Sequence, residues 1–302
     1  MRLATISDGS GARAAVAVAD GTFVHADALV ADAPGDVLSI IEAGAPLWSR
    51  LADAASGARG GVAAPVFLAP VPQPRRNVMC VGWNYSEHFE EGRATRGADA
   101  LERIPDHPAL FTKNPATVIG HDQPVAHPAP YSEQLDWEVE LAVVIGRAGR
   151  DIAEADAMGF VFGYTIGNDV SVRDVQRQWH GGQWFKGKNF DGHLPLGPWI
   201  VTADEIPDPQ ALRITSRVNG VTKQDSNTTH MVFTIRRIIS ELSAGMALQA
   251  GDIIMTGTPA GVGMGRTPPE WLVPGDVMEM EIERIGVLRN RVERGSERWA
   301  RT

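Results

Sequence analysis

The stretch LDWEVELAVVIG, Leu135 to Gly146, constrains this chain more than any other. Side chains alternate faces along a strand, so Asp136, Glu138 and Glu140 point one way and Trp137, Val139 and Leu141 the other. From Leu141 onward the run is apolar on both faces, which carries the strand into a buried region. Two ionised carboxylates about 7 Å apart on one face repel each other and lose hydration on burial. Either the row faces solvent on an edge strand, or a bound cation removes the conflict.

A second segment favours the cation. GYTIGNDVSVRDVQ sets Asp169 at the end of another apolar strand, just after Gly167-Asn168, where a carboxylate can converge on a neighbouring strand's face. Glu138, Glu140 and Asp169 together make a hard oxygen site suited to Mg²⁺ or Mn²⁺, with Ca²⁺ as a third candidate. The thiolate and imidazole patterns of zinc sites are missing, since the chain has one cysteine and no HExxH.

The rest of the chain reads as α+β and β-rich, with a dominant, largely antiparallel sheet system. Residues 1–72 form a small N-terminal α+β unit, with a hairpin around Asp20-Gly21 and helical spacing through DVLSIIEAGAPLWSRLADAA. The proline-punctuated linker Pro70 to Arg76 leads into the larger part, residues 73–302. There, apolar strands alternate with glycine-rich breaks, and helices are expected around DIAEADAMG and MVFTIRRIISELSAG, the latter stopping at Gly245. The polar stretch 83–110 has the length and composition of a lid.

Lys and Arg number 28 against 37 Asp and Glu, a net charge of −9, so no basic footprint marks nucleic acid or an anionic membrane as a partner. The single Cys80, inside VMCVG, excludes an intrachain disulfide and reads as a buried small hydrophobe. No apolar run approaches the roughly 18 residues of a membrane helix, and the N-terminus has no signal-peptide core; the expected compartment is the cytoplasm.

Several polar residues suit catalysis. In NYSEHFEEGR, Glu91 follows His88 by three, one helical turn away, where a carboxylate orients an imidazole and raises its basicity; Glu90, at i+2, faces away. Arg173 and Gln176 are likewise three apart and can share a face, although Asp174 offers Arg173 a structural partner. In MTGTPAGVG the backbone N–H groups and the Thr258 hydroxyl can hold a carboxylate. GQWFKGKN approaches a phosphate-binding loop but puts Asn189 where a hydroxyl is needed and crowds the cradle with Trp184 and Phe185; nucleotide binding stays an alternative of a different class.

Taken in order, YSEQLDWEVELAVVIGR, GYTIGNDVSVRDVQ, GKNFDGHLPLGPWIVT and GDIIMTGTPAGVG resemble the fumarylacetoacetate hydrolase family over roughly residues 74–294. The resemblance implies a β-sandwich or roll and a homodimer, with Glu138, Glu140 and Asp169 as ligands of a divalent metal, Mg²⁺ foremost. It implies a His88–Glu91 dyad on a lid helix, Lys188 beside the metal, and Arg173 and Gln176 gripping a 2-oxo acid. Trp83 departs from relatives that carry Arg or another polar residue there. The expected activity is hydrolysis of the C–C bond of a 1,3-diketo acid of the acylpyruvate or fumarylpyruvate type. Water activated by His88 attacks the distal carbonyl, and Lys188 steadies the departing enolate. An isomerase of 2-hydroxy-diene-dioates, an oxaloacetate-type decarboxylase and a 2-oxo acid binding module without catalysis are the alternatives.

Overall fold

The computed structural model describes residues 1–9, 11–62, 64–93 and 103–295, so residues 94–102 of the expected lid lie outside the described residues. The N-terminal region supplies β1 (Arg2–Ser7), β2 (Ala12–Ala17), β3 (Phe23–His25) and β4 (Val66–Phe67). Next come β5 (Val78–Gly82), β6 (Ala109–Lys113), β7 (Val118–Ile119), β8 (Val125–His127), β9 (Leu135–Asp136), β10 (Val139–Ile145), β11 (Val161–Asn168), β12 (Ser171–Val172) and β13 (Leu194–Thr202). The chain closes with β14 (Arg213–Val218), β15 (Val221–Asn227), β16 (Ile253–Met255), β17 (Val277–Ile282) and β18 (Gly286–Arg294).

Among the described residues an 11-stranded sheet runs β3-β2-β1-β13-β11-β10-β16-β5-β6, with β4 on β1 and β7 on β13. A 5-stranded sheet, β15-β14-β17-β18-β8, packs against β10, β11 and β13. β9 and β12 form a separate two-stranded ribbon. Most pairs are antiparallel; β5–β16, β7–β13 and β8–β18 are parallel. The molecule is therefore the β-rich α+β structure expected. β1 pairs with β13, so the N-terminal strands continue the large sheet.

β10 sits between β11 and β16 with every residue buried, which removes the edge-strand explanation of the acidic row. Its alternation divides two cores. Val139, Leu141, Val143 and Ile145 join the core shared with the 5-stranded sheet. Ala142 and Val144 join a second core with Leu3, Ile40 and Leu51. Each such Val, Leu or Ile side chain contributes about 1.5–3 kcal/mol by burial, and that anchoring fixes where the strand's N-terminal end can present Glu138 and Glu140.

Local helix signals mostly hold. The helical stretch of the N-terminal unit is split at Gly44, at φ 83, into α2 (Val37–Ala43) and α3 (Ala45–Gly57), which follow the short α1 (Ala26–Leu29). α4 (Ser86–Glu91), α5 (Arg173–Gln178) and α6 (Phe185–Lys188) are short. α7 (Ile235–Ser243) begins at Thr234, whose side chain accepts from the Arg237 N–H, and Gly245 turns left-handed just past its end. The helix expected around DIAEADAMG is instead a turn followed by a 3₁₀ segment at Ala157–Phe160. Its first residues are tied instead to the end of α7, Asp151 N–H to Ser243 O at 2.8 Å and Ile152 N–H to Ser243 Oγ at 2.9 Å. Among the described residues, no helix is long and apolar enough to cross a membrane.

Candidate active site

The N-terminal end of β10 and the C-terminal end of β11 meet at the acidic cluster. The Asp169 N–H donates to Glu138 O at 2.9 Å, and the Glu138 N–H donates to Asn168 Oδ1 at 2.9 Å, so the backbone locks the two ligand segments together. One carboxylate oxygen each from Glu138, Glu140 and Asp169 lie within 4.8 Å of one another, and all three residues are buried. The three residues singled out from sequence are thus brought together.

Cations surround this cage. Lys188, at the end of α6, places Nζ 2.8 Å from Glu138 Oε2 and 2.7 Å from Asp169 Oδ2. Lys113, fully buried at the end of β6, sits 2.8 Å from Asp169 Oδ1 and also donates to the carbonyls of Val170 and Lys188. Arg173, opening α5, donates from Nε to Asp136 Oδ2 at 2.7 Å and pairs through Nη1 with Glu138 Oε1 at 2.7 Å. Gln176 takes a further bond from Nη1 at 3.1 Å. Arg173 Nη2 is buried and has no partner, leaving a guanidinium donor open at the site.

The electrostatics fit a divalent cation. Asp136, Glu138, Glu140 and Asp169 face Lys113, Arg173 and Lys188, four buried carboxylates against three buried cations. Burial, with Asp169 and Glu138 alongside, pushes Glu140 well above the usual carboxylate range. Burial acts the same way on Glu138, but Lys188 and Arg173 outweigh it and hold that carboxyl low, with a smaller contribution from His88. Burial opposes the charge on Lys188, and Asp169 and Glu138 more than offset it, keeping the ammonium protonated. The carboxylate left without a lysine or arginine against it is Glu140, and a doubly charged ion among three such oxygens relieves it while leaving the site attractive to an anion.

The dyad is assembled as its spacing predicts. His88 and Glu91 lie on α4, with His88 Nδ1 2.8 Å from Glu91 Oε1. Glu91 Oε2 in turn accepts from the Gly261 N–H at 2.8 Å, so the carboxylate is fixed at both oxygens and holds the ring by Nδ1, an arrangement in which Nε2 is the nitrogen that could exchange a proton. Asn84, just before α4, donates to the carbonyls of Phe233 and Thr256 and accepts from the Phe233 N–H, anchoring the segment that enters the helix.

The glycine loop after β16 serves protein carboxylates. Gly257 N–H donates to Glu140 Oε2 at 2.7 Å, and Gly263 and Met264 donate to Asp136 at 2.7 and 3.0 Å. Gly257 and Gly261 both take left-handed backbone, and a Cβ at Gly261 would lie 2.1 Å from Lys223 O. The Thr258 hydroxyl donates to Val139 O at 2.9 Å and accepts from Gln224 Nε2 at 2.8 Å.

Sequence reasoning passed over Lys113, Asp136 and Gln224. Asp136 lies on the acidic row itself but, instead of Asp174, is the partner of Arg173; Asp174 bonds Ser132 and the Val175 N–H. Lys113 was visible as a lone cation closing the apolar strand ALFTK. The GQWFKGKN segment is no phosphate cradle: it forms the turn of α6, a Cβ at Gly187 would lie 2.4 Å from Gln176 backbone, and its Lys188 is engaged by the cage.

The chain is similar to known proteins over most of its length. Residues 77–293 match the family model described as "Fumarylacetoacetate (FAA) hydrolase C-terminal". The chain is 46% identical over 224 residues to the oxaloacetate tautomerase YisK of Bacillus subtilis (strain 168), covering 74% of this chain and 72% of that protein. It superposes on a fumarylacetoacetate hydrolase from psychrophilic Exiguobacterium antarcticum with a TM-score of 0.83 at 38% identity, over 97% of this chain and 99% of the other. A maleylpyruvate hydrolase from Sphingobium sp. SYK-6, in complex with manganese(II) ion and pyruvate, matches with a TM-score of 0.79 at 30% identity over 98% and 100% of the two chains.

Proposed function

The chain belongs to the fumarylacetoacetate hydrolase family, and on that premise we propose that it is a metal-dependent enzyme of keto–enol chemistry, a tautomerase of oxaloacetate or a closely similar 2-oxo diacid. The observation that carries this reading is the open, buried Nη2 of Arg173 beside a cage of three carboxylates. Such a pairing suits a substrate with a carboxylate next to a 2-oxo group. The 46% identity to an oxaloacetate tautomerase supports isomerisation ahead of the C–C hydrolysis expected from sequence.

Glu138, Glu140 and Asp169 would hold the ion, with Mg²⁺ or Mn²⁺ favoured by the all-oxygen donor set. When bound, such an ion supplies Lewis-acid polarisation of the 2-oxo group. Arg173, braced by Asp136 and Gln176, holds the neighbouring carboxylate and fixes the substrate's orientation. His88 removes a proton from the carbon next to the ketone while Glu91 steadies the imidazolium, and a proton is returned at the carbonyl oxygen; no other atom enters or leaves. Lys188 keeps positive charge beside the oxygen that gains electron density.

The same dyad can deprotonate water, and the similarity to a maleylpyruvate hydrolase favours acylpyruvate hydrolysis as the second reading. We also infer a homodimer, for which exposed Leu110 on the terminal strand β6, exposed Trp179 just after α5 and exposed Phe185 opening α6 supply apolar surface.

One assay separates the readings. The enol absorbance of oxaloacetate is followed with and without Mg²⁺ or Mn²⁺, beside acylpyruvates and maleylpyruvate, with products analysed. Metal-dependent decay of the enol to ketone, abolished in His88→Ala and yielding no new acid, is the expected result. Cleavage of an acylpyruvate with no effect on oxaloacetate would transfer the assignment to hydrolysis, and no turnover of any of them would remove the enzymatic reading.

A further inference from the structure

We propose that Gln224 is a positioning residue that sets the spacing of the two glutamate ligands and joins the cage to the dyad through the glycine loop. The proposal rests on the cage being the metal site.

Gln224 lies on β15, the terminal strand of the 5-stranded sheet, whose other residues are exposed or only partly covered. It alone on that strand is buried, at 1% exposure. A primary amide at such a place costs stability unless every donor and acceptor is paired. Here they are. Oε1 accepts from the Val139 N–H at 3.1 Å and from Ser216 Oγ at 2.9 Å; Nε2 donates to Thr258 Oγ1 and to Pro259 O, both at 2.8 Å. Those four bonds exhaust the hydrogen-bonding capacity of the side chain.

The partners are informative. Val139 is the single residue between Glu138 and Glu140. Its N–H goes to Gln224, Gln224 donates to Thr258, and Thr258 donates back to the Val139 carbonyl at 2.9 Å, closing a ring of hydrogen bonds around that residue. Both peptide groups that separate the two ligand carboxylates are therefore held by one amide and one hydroxyl. The other half of the amide grips the loop, whose Gly257 N–H fixes Glu140 and whose Gly261 N–H fixes Glu91. Gly261 also packs against the backbone of Lys223 and Gln224, closely enough to exclude a Cβ. Displacing Gln224 therefore disturbs a metal ligand and the carboxylate that orients His88 together, though it touches neither.

A purely architectural role, gluing one sheet to the other, makes a different prediction, and Asn290 supplies the control. It is buried in β18 of the same sheet and its amide donates to the carbonyls of Gly120 and Gln123, both at 2.8 Å. The experiment is Mn²⁺ titration of metal-stripped protein by calorimetry, with Tm measured in parallel, for wild type, Gln224→Met and Asn290→Leu. Gln224→Met keeps length and removes all four bonds. Its Mn²⁺ affinity is expected to fall about 10–100-fold, the usual effect of losing a residue that orients metal ligands, while Asn290→Leu loses Tm and keeps wild-type affinity.

Thr258→Val and Thr258→Ser carry the test should Gln224→Met not fold. Thr258→Val breaks the ring from its other side and is expected to weaken Mn²⁺, with Thr258→Ser restoring it. A hydroxyl that only held substrate carboxylate would raise KM and leave Mn²⁺ untouched. Wild-type Mn²⁺ affinity, within twofold, in Gln224→Met or in Thr258→Val overturns the proposal. Absence of Mn²⁺ binding by the wild type overturns the cage reading first, and the proposal with it.

Discussion

The cage and the dyad are neighbours built on different principles. Glu138, Glu140 and Asp169 ride on or directly beside central strands, and their backbone and side chains are bonded to Asn168, Lys188, Lys113 and Gly257. The dyad rides on a helix of six residues, and the Gly261 N–H holds its Glu91. A metal site needs its oxygens placed to a few tenths of an ångström, which strands inside two packed cores provide. A proton-transfer group needs reach and access, which a short helix near the surface provides. In the proposed mechanism, binding and polarisation fall to the strand-borne half, and the choice of reaction falls to the half carried on the short helix.

Substituting within each half breaks the comparison open. In Glu140→Gln, Mn²⁺ affinity is expected to fall by at least about 100-fold and turnover with it, while metal-free protein gains stability. Removing one of three crowded buried carboxylates relieves about 1 kcal/mol, roughly 2 °C in Tm for a chain of this size. Calorimetry and thermal melts of the same metal-stripped samples check both signs. In His88→Ala the pattern reverses: kcat is expected to drop about 10²–10⁴-fold with Mn²⁺ affinity unchanged. A loss of Mn²⁺ binding in His88→Ala would erase the distinction between the halves.

Asp136→Asn sharpens it. Asp136 touches none of the three ligand carboxylates but braces Arg173 and takes the Gly263 and Met264 N–H groups. Steady-state kinetics should show KM raised about 10-fold, more than kcat is lowered, because Arg173, the proposed holder of the substrate carboxylate, loses its brace.

A further effect lies outside both halves and leaves activity aside. His193 is fully buried, its Nε2 bonded to Ala126 O at 2.8 Å, and burial first of all pushes its pKa down to about 3. An unfolded chain takes up that proton near the ordinary value of 6.5, and the folded chain refuses it until about 3. Stability from this residue is therefore full above 6.5 and falls as pH drops toward 3, by up to about 1.4 kcal/mol per pH unit. Urea melts across that range should show this slope in wild type and a shallower one in His193→Phe, with or without Mn²⁺.

The strand-borne half was also the more legible. Alternation along LDWEVELAVVIG announced which face carries carboxylate, and the apolar run after Leu141 announced burial. The spacing of His88 and Glu91 announced the dyad, because a helical turn is a local event. What stayed hidden depends on contacts far apart in the chain. Lys113 reaches Asp169 across 56 positions, and Gln224 reaches Val139 across 85, from a hairpin that looks solvent-facing. The Thr258 hydroxyl and the loop amides, read from sequence as holders of substrate, are engaged by Val139, Gln224 and protein carboxylates. A glycine loop shows that N–H groups are free to donate and does not show to whom.

The most direct test of the account is a crystal of the protein soaked with Mn²⁺ and pyruvate, with anomalous scattering recorded at the manganese edge. One anomalous peak among Glu138, Glu140 and Asp169, with the pyruvate carboxylate on Arg173 Nη2, is the predicted result. Unbroken Lys188 bridges from Glu138 to Asp169, no peak between the carboxylates and pyruvate bound elsewhere would contradict it.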